Sequence, residues 1–86
     1  MSVYAVIIAP RAIKQINSLP QKVKDKIGDT IYNVIAPNPL IGKPLKADLK
    51  GIYSYRLGDY RILYSIIKNK LIIHVIKIMH RREAYR

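Results

Sequence analysis

The fold of this chain is decided by residues 53–64, which have the sequence YSYRLGDYRILY. Apolar and aromatic residues alternate with polar ones on both sides of Gly58-Asp59, and this pair suits a two-residue turn because Gly accepts a positive φ and Asp tolerates it. Such a turn fixes the register of the strands that it joins, so Arg56 faces Arg61 across the hairpin. The stretch therefore predicts two antiparallel strands.

Alternation along this hairpin sorts its side chains onto two faces of the predicted sheet. One face is apolar and is expected to pack against helices: Tyr53, Tyr55, Leu57, Tyr60, Ile62, Tyr64 and Ile66. The other is a mixed face, which we call the arginine face: Ser54, Arg56, Arg61, Leu63 and Ser65. A second tight turn near Asn69 brings back residues 71–78 as a third strand and adds His74 to the arginine face.

The chain before this hairpin predicts one strand and two helices. Residues 3–8 are apolar and mostly β-branched with no polar face, which predicts an inner strand covered on both sides. Pro10 and Pro20 each suit the first turn of a helix, where a missing N–H costs nothing. The first helix is predicted over residues 10–18, and the second carries an apolar stripe of Val23, Ile27, Ile31 and Val34.

The elements together predict an α+β fold. Pro37 and Pro39 end the second helix, and residues 38–50 are expected to form a loop. The predicted order is an N-terminal strand, a two-helix hairpin and a three-stranded antiparallel meander, with the helices packed on one face of the sheet. A chain of 86 residues has room for one modest core, so a single domain over residues 1–86 is expected.

The charge of the chain favours a polyanionic partner. Sixteen Lys and Arg against five Asp and Glu give a formal net charge of +11 at pH 7, which is a strong field for one small domain. Arginine binds phosphate with a planar fork, and tyrosine offers a surface on which a base can stack. A surface for RNA is therefore suggested by three Tyr-Arg pairs, at residues 55–56, 60–61 and 85–86.

Composition also limits the class of protein. The chain has no Cys, so neither disulfides nor a thiolate metal site can hold the fold, and a reducing cytoplasm is expected. No apolar stretch approaches the ~20 residues that span a membrane, so a soluble protein is expected. The sequence has no cluster of His and carboxylates and no phosphate-binding glycine loop, so no metal or nucleotide cofactor is expected.

Three segments together resemble the RelE toxins of the RelE/ParE superfamily. They are KPLK with GIY within residues 43–53, YRLGDYRILY at residues 55–64 and HRREAYR at residues 80–86. The resemblance covers nearly the whole chain and implies the same order of strand, two helices and strands. It also implies a type II toxin that enters the ribosomal A site, cuts mRNA and inhibits translation. A cognate RelB-like antitoxin would hold such a toxin inactive in a hetero-oligomer.

The resemblance implies roles for individual residues. Arg61 matches the strand arginine that supports the scissile phosphate, and Arg81 matches the C-terminal arginine proposed to protonate the leaving oxygen. Arg56 falls where the family has a lysine of the site, and Tyr85 resembles the near-terminal tyrosine that stacks on a base. Ser54 departs from the pattern because it occupies the position of a lysine proposed as general base, which leaves the base unassigned.

Metal-independent cleavage of RNA narrows the search for that base. The reaction takes a proton from a 2′-OH, stabilises the charge of a phosphorane and gives a proton to the departing 5′-oxygen. Arginine keeps its proton at neutral pH and is a poor base, whereas histidine titrates near neutrality. His80, beside Arg81, is therefore the candidate base, with a backbone hydrogen bond or an antitoxin contact as its alternative role.

Other cations are expected to attract RNA without taking part in the chemistry: Lys43, Lys46, Lys50, Arg82 and Arg86. Two other functions stay open on the same fold. A ParE-type inhibitor of DNA gyrase would bind its target without RNA chemistry, and a noncatalytic basic RNA-binding module would fit the missing lysine at Ser54. The codon preference and the identity of the antitoxin do not follow from the sequence.

Overall fold

The computed structural model describes residues 3–84 and has an α+β fold, in which two helices pack on one face of a five-stranded sheet. The strands are β1 (Ala5–Ile8), β2 (Lys43–Pro44), β3 (Ile52–Leu57), β4 (Tyr60–Ile67) and β5 (Ile72–His80). The helices are α1 (Pro10–Asn17), α2 (Gln21–Thr30) and the short α3 (Arg81–Ala84). No helix in this part of the chain is long and apolar enough to cross a membrane.

The sheet has the strand order β1-β5-β4-β3-β2, with β1 parallel to β5 and the other neighbours antiparallel. The predicted hairpin is confirmed, because Arg56 pairs with Arg61 and Ser54 pairs with Leu63 across β3 and β4. Gly58 in the turn has a φ of 59°, in the left-handed region that favours glycine. The apolar face is confirmed as well, since all seven of its residues lie in the core or pack against it.

The prediction that the first strand lies inside the sheet is wrong. β1 is an edge strand; Val6 and Ile8 pack against the core, whereas Ile7 is 50% exposed. The helices α1 and α2, which follow β1 in the chain, cover one face of the sheet and leave the other open. Successive side chains of β1 alternate between the covered face and the open face. In this chain, an apolar run without polar residues belongs to an edge strand that exposes apolar side chains on one face.

The segment before the hairpin, predicted as a loop, contains a short strand. Lys43 pairs with Ser54 and Pro44 pairs with Tyr53, which adds β2 to the free edge of β3. Two residues are too few for a periodic pattern, and proline is typical of loops although an edge strand tolerates it. Because cross-strand partners share a face, Lys43 lies beside Ser54.

The second helix ends in a π turn, Ile31–Ile35, that shifts its apolar stripe. The N–H of Ala36 donates to the carbonyl of Ile31 at 2.9 Å, five residues back. The wider turn buries Ile35 fully, while Val34 is only partly buried. The predicted stripe is therefore correct as far as Ile31 and is displaced by one residue after it.

A buried tyrosine ties the segment before β2 to the core. Tyr64 is fully buried; its hydroxyl donates to the carbonyl of Pro39 at 2.6 Å and accepts from the N–H of Gly42 at 3.0 Å. A Cβ at position 42 would overlap this hydroxyl, so the close approach requires glycine. Burial raises the pKa of Tyr64. The two hydrogen bonds fix the start of β2 and with it the position of Lys43.

Candidate functional site

The arginine face carries two cations that stand directly opposite each other. Arg56 on β3 pairs in register with Arg61 on β4, and neither has a carboxylate partner among the side chains that the structure describes. Arg56 is exposed and Arg61 is partly buried. The Nε–H of Arg56 donates to the carbonyl of Gly58 at 3.5 Å, which is a long hydrogen bond. Like charges across a ladder repel each other, so the pair suits an anionic ligand.

Next to these arginines, two side chains in the middle of the arginine face are nearly buried. Ser54 is 5% exposed and Leu63 is 7% exposed, and the two are cross-strand partners. Leu63 lies outside the core cluster under the helices, so the longer side chains around it on the arginine face must cover it. The Ser54 hydroxyl is buried and has no hydrogen-bond partner among the described residues. A polar group is thus left unpaired in the middle of the arginine face.

A β-bulge in β5 decides which of its side chains reach the arginine face. The register between Leu63 and Tyr64 of β4 skips Ile76, which has no partner on β4. After the bulge Lys77 pairs with Leu63 on the arginine face, while Ile78 turns to the core and is 4% exposed. Lys77 could not be predicted on this face, because simple alternation along β5 puts it on the other side of the sheet.

The same bulge places His80 on the helix side of the sheet. Its register partner is Tyr60, and the two rings meet edge-on with their centroids 5.1 Å apart. The Nδ1 of His80 accepts a hydrogen bond from the N–H of Arg82 at 3.2 Å, which caps the first turn of α3. The structure thus separates His80 from Arg56 and Arg61 and gives it a backbone hydrogen bond, the alternative role named above. Its role as general base stays a prediction.

Arg81 is held at the turn between β3 and β4. Its N–H donates to the carbonyl of Asp59 at 2.6 Å, and its Nη1 lies 3.7 Å from Asp59 Oδ1. The two side chains are 60% and 62% exposed, so the ion pair adds little to stability, but it orients the guanidinium. Because this turn joins the strands that carry Arg56 and Arg61, the three arginines gather at one end of the sheet.

The three predicted RNA-binding lysines lie on two different surfaces of the structure. Lys43 is exposed on the arginine face beside Ser54. Lys46 and Lys50 line a shallow pocket at the edge of β3 together with Tyr53. Only Lys43 therefore belongs to the surface that holds Arg56 and Arg61.

The C-terminal residues of the predicted site are described only in part. Arg82 is exposed at the start of α3, whereas Tyr85 and Arg86 lie outside the described residues. His74 lies on the arginine face opposite Ser65, as the alternation predicts. Among the side chains that the structure describes, no group of three or more His, Asp or Glu is arranged so that it could hold a metal ion.

Comparison with known proteins identifies the family. Residues 6–85 match the family model of the ParE toxin of the type II toxin–antitoxin system, parDE. The chain belongs to the RelE/ParE superfamily of toxins. This toxin is similar to Toxin RelE of Mycobacterium tuberculosis, with 34% identity over 84 residues that cover 96% of this chain and 87% of the relative. It is also similar to Toxin RelG of the same organism, with 30% identity over 84 residues that cover 96% and 97%.

Solved structures confirm the fold of the toxin. The RelBE2 toxin–antitoxin complex from Mycobacterium tuberculosis contains a chain with a TM-score of 0.89 and 29% identity, and each chain covers 94% of the other. The archaeal RelE-RelB complex from Pyrococcus horikoshii contains one with a TM-score of 0.76 and 26% identity, covering 93% of this chain and 97% of that one. The family resemblance found in the sequence is therefore confirmed over nearly the whole chain.

Proposed function

We propose that this toxin is a ribosome-dependent endoribonuclease that cleaves mRNA in the ribosomal A site and thereby inhibits translation. The observation that carries the proposal is the gathering of Arg56, Arg61 and Arg81 at one end of the sheet. Cations preorganised in this way stabilise a phosphorane, whose extra charge develops in the transition state. The relatives named Toxin RelE and Toxin RelG support a RelE-type activity.

Each arginine has a separate role in this proposal. Arg56 and the partly buried Arg61 bind the oxygens of the scissile phosphate through their planar forks. Arg81, whose guanidinium is oriented by Asp59, gives a proton to the departing 5′-oxygen. Tyr85 stacks on a base beside the cut. The predicted base, His80, takes the proton of the attacking 2′-OH, and no metal ion takes part.

We expect the ribosome to be a partner because neither described histidine lies next to Arg56 and Arg61. His80 lies on the helix side of the sheet, and His74 lies opposite Ser65, toward the other end of β4. A substrate held in an attack-ready geometry can gain up to about 7–11 kcal/mol from orientation and avoided solvent reorganisation. We therefore expect ribosome-bound mRNA to be cut well and free mRNA poorly, which places the activity in the cytoplasm.

A RelB-like antitoxin is the second partner in this proposal. Two solved structures similar to the toxin are complexes, namely the toxin–antitoxin complex RelBE2 and the archaeal RelE-RelB complex. The net charge of +11 and the open arginine face fit an acidic partner that neutralises them in a hetero-oligomer.

Primer extension on translating ribosomes tests the proposed activity. Purified toxin is expected to create new mRNA ends within A-site codons, and the same mRNA without ribosomes serves as the control. Intact mRNA on ribosomes, at toxin concentrations that stop cell growth, would reject the proposal. Efficient site-specific cutting of the free mRNA would reject the need for the ribosome.

Inhibition of DNA gyrase is the second candidate function, since the family model that matches the chain is described as the ParE toxin. A gyrase inhibitor binds its target and needs no phosphate clamp on the arginine face. Loss of gyrase supercoiling activity in the presence of the toxin, with mRNA left intact on ribosomes, would select this function.

A further inference from the structure

The β-bulge at Ile76 reverses the side-chain alternation in the second half of β5. Without it, the register Tyr64 to Val75 would continue and place Lys77 opposite Ile62, which is fully buried under the helices. A lone ammonium group at that place would be costly to bury. With the bulge, Ile78 takes the core position opposite Ile62, and Lys77 moves to the arginine face.

The bulged segment is fixed on the helix side as well. β1 pairs with β5 only as far as Val75, so no residue of β1 is available to the N–H of Ile78. Gln15 of α1 provides the acceptor, with its Oε1 2.8 Å from this N–H. The position of Lys77 is thus built into the fold, since a helix side chain holds the backbone directly beside it.

The register places Lys77 in an ordered array of cations. One row across the sheet consists of Lys43, Ser54, Leu63 and Lys77 on four neighbouring strands. The next row consists of Arg56, Arg61 and Met79. Strands lie about 4.8 Å apart, and residues two apart along a strand lie about 6.8 Å apart. Ser54 and Leu63 are uncharged and nearly buried, so the cations surround a central patch that carries no charge.

We propose that Lys77 is a substrate-binding residue of the toxin, which contacts an RNA phosphate neighbouring the one held by Arg56 and Arg61. Lys77 is partly buried and pairs with Leu63, which suits a side chain whose aliphatic stem is covered while its ammonium stays in solvent. A nucleic-acid strand presents successive phosphates to successive rows of cations, whereas a single carboxylate would engage one row only. This contact rests on the proposed RNA substrate.

Binding of a cleavage-resistant RNA tests this contact without relying on cleavage. The probe is a labelled single-stranded RNA with 2′-O-methyl groups, and its affinity is measured over a range of salt concentrations. Lys77→Met removes the charge and keeps the aliphatic stem. It is expected to make the negative slope of log affinity against log salt shallower by about 0.7, which corresponds to the loss of one phosphate contact. Lys77→Arg is expected to keep the wild-type slope.

Lys70→Met is the matched control, because Lys70 is exposed in the turn between β4 and β5 at the other end of the sheet. A wild-type slope in Lys77→Met, or an equal change in Lys70→Met, would overturn the proposal. A wild-type slope combined with slower association of an acidic antitoxin would assign Lys77 to the antitoxin instead. If the slope changes as expected but mRNA stays intact on ribosomes, the contact stands and the proposed endoribonuclease activity fails.

Discussion

Arg56 and Arg61 are direct cross-strand partners on β3 and β4, and no described carboxylate pairs with either of them. Like charges in this geometry destabilise a sheet by some tenths of a kcal/mol to about 1 kcal/mol. The pair therefore weakens the free toxin and becomes favourable only when an anion lies between the two guanidinium groups.

Removal of one charge from this pair should stabilise the toxin and impair its activity. Arg56→Gln is expected to raise the free energy of unfolding by up to about 1 kcal/mol, because the repulsion is lost. Urea unfolding at low and high salt measures the effect, and the gain should shrink as salt screens the charges. Arg82→Gln is the control, since Arg82 lies in α3 without a cross-strand cation. A loss of stability in Arg56→Gln would contradict this account of the pair.

The clamp itself is tested by Arg61→Ala and Arg81→Ala. Each variant is expected to lose about 10² to 10³ in cleavage rate on ribosomes, because each removes a preorganised contact to developing charge. Circular dichroism should show an intact fold, and Lys70→Ala controls for a simple loss of net charge. Wild-type cleavage by a folded variant would remove that arginine from the mechanism.

The general base is tested by two substitutions at His80. Asn is a favoured N-cap residue, so His80→Asn should keep the hydrogen bond to the N–H of Arg82, whereas His80→Ala removes it. As the predicted base, His80 is expected to be needed for the chemistry, so both variants should lose about 10² to 10⁴ in cleavage rate together with the acidic limb of the pH–rate profile. A near-wild-type rate in the Asn variant, with a loss of about tenfold in the Ala variant, would instead assign His80 the backbone hydrogen bond as its role.

Tyr64 predicts a dependence of stability on alkaline pH. Its folded pKa is raised above the ordinary value of 10.0 by burial. The stabilisation that comes from the neutral hydroxyl is therefore complete below pH 10.0 and is lost as pH rises through the folded pKa. Tyr64→Phe should remove this dependence and cost about 1–3 kcal/mol at neutral pH, because Pro39 and Gly42 lose their buried partner.

Urea unfolding from neutral to alkaline pH measures both effects. Tyr32→Phe is the control, since Tyr32 is 54% exposed. Unchanged stability of Tyr64→Phe at neutral pH would show that the two hydrogen bonds do not hold the segment before β2.

The hairpin could be predicted from the sequence because its information is local. The Gly58-Asp59 turn sets the register, and strict alternation then assigns each side chain to a face, which places Arg56 opposite Arg61 without any tertiary knowledge. The strand β2 could not be predicted in this way, because two residues carry no period and Lys43 is positioned by hydrogen bonds between Tyr64 and a distant segment.

The π turn after α2 and the β-bulge in β5 could not be predicted from the sequence pattern either. The π turn replaces Val34 by Ile35 in the core, and the bulge at Ile76 exchanges the faces of Lys77 and Ile78. Both add one residue to a regular element, and both are recognisable only when the packed partner is known. A lysine that falls on the apolar side of an otherwise regular strand is the one available hint for the bulge.

Neutralisation by an acidic antitoxin is the last prediction. A toxin at +11 that must be silent in its own cell is best held by an acidic, amphipathic segment that folds into a helix as it binds. We expect this segment to contact the apolar surface of the sheet and helices. It should also either cover Arg56, Arg61 and Arg81 or displace residues 80–86. Stopped-flow association should slow as salt rises, since attraction between exposed charges is screened beyond about 8 Å at 0.15 M. A rate that is flat from low to high salt, or a complex in which the arginine face and the C-terminal segment are both free, would show that neutralisation works by another route.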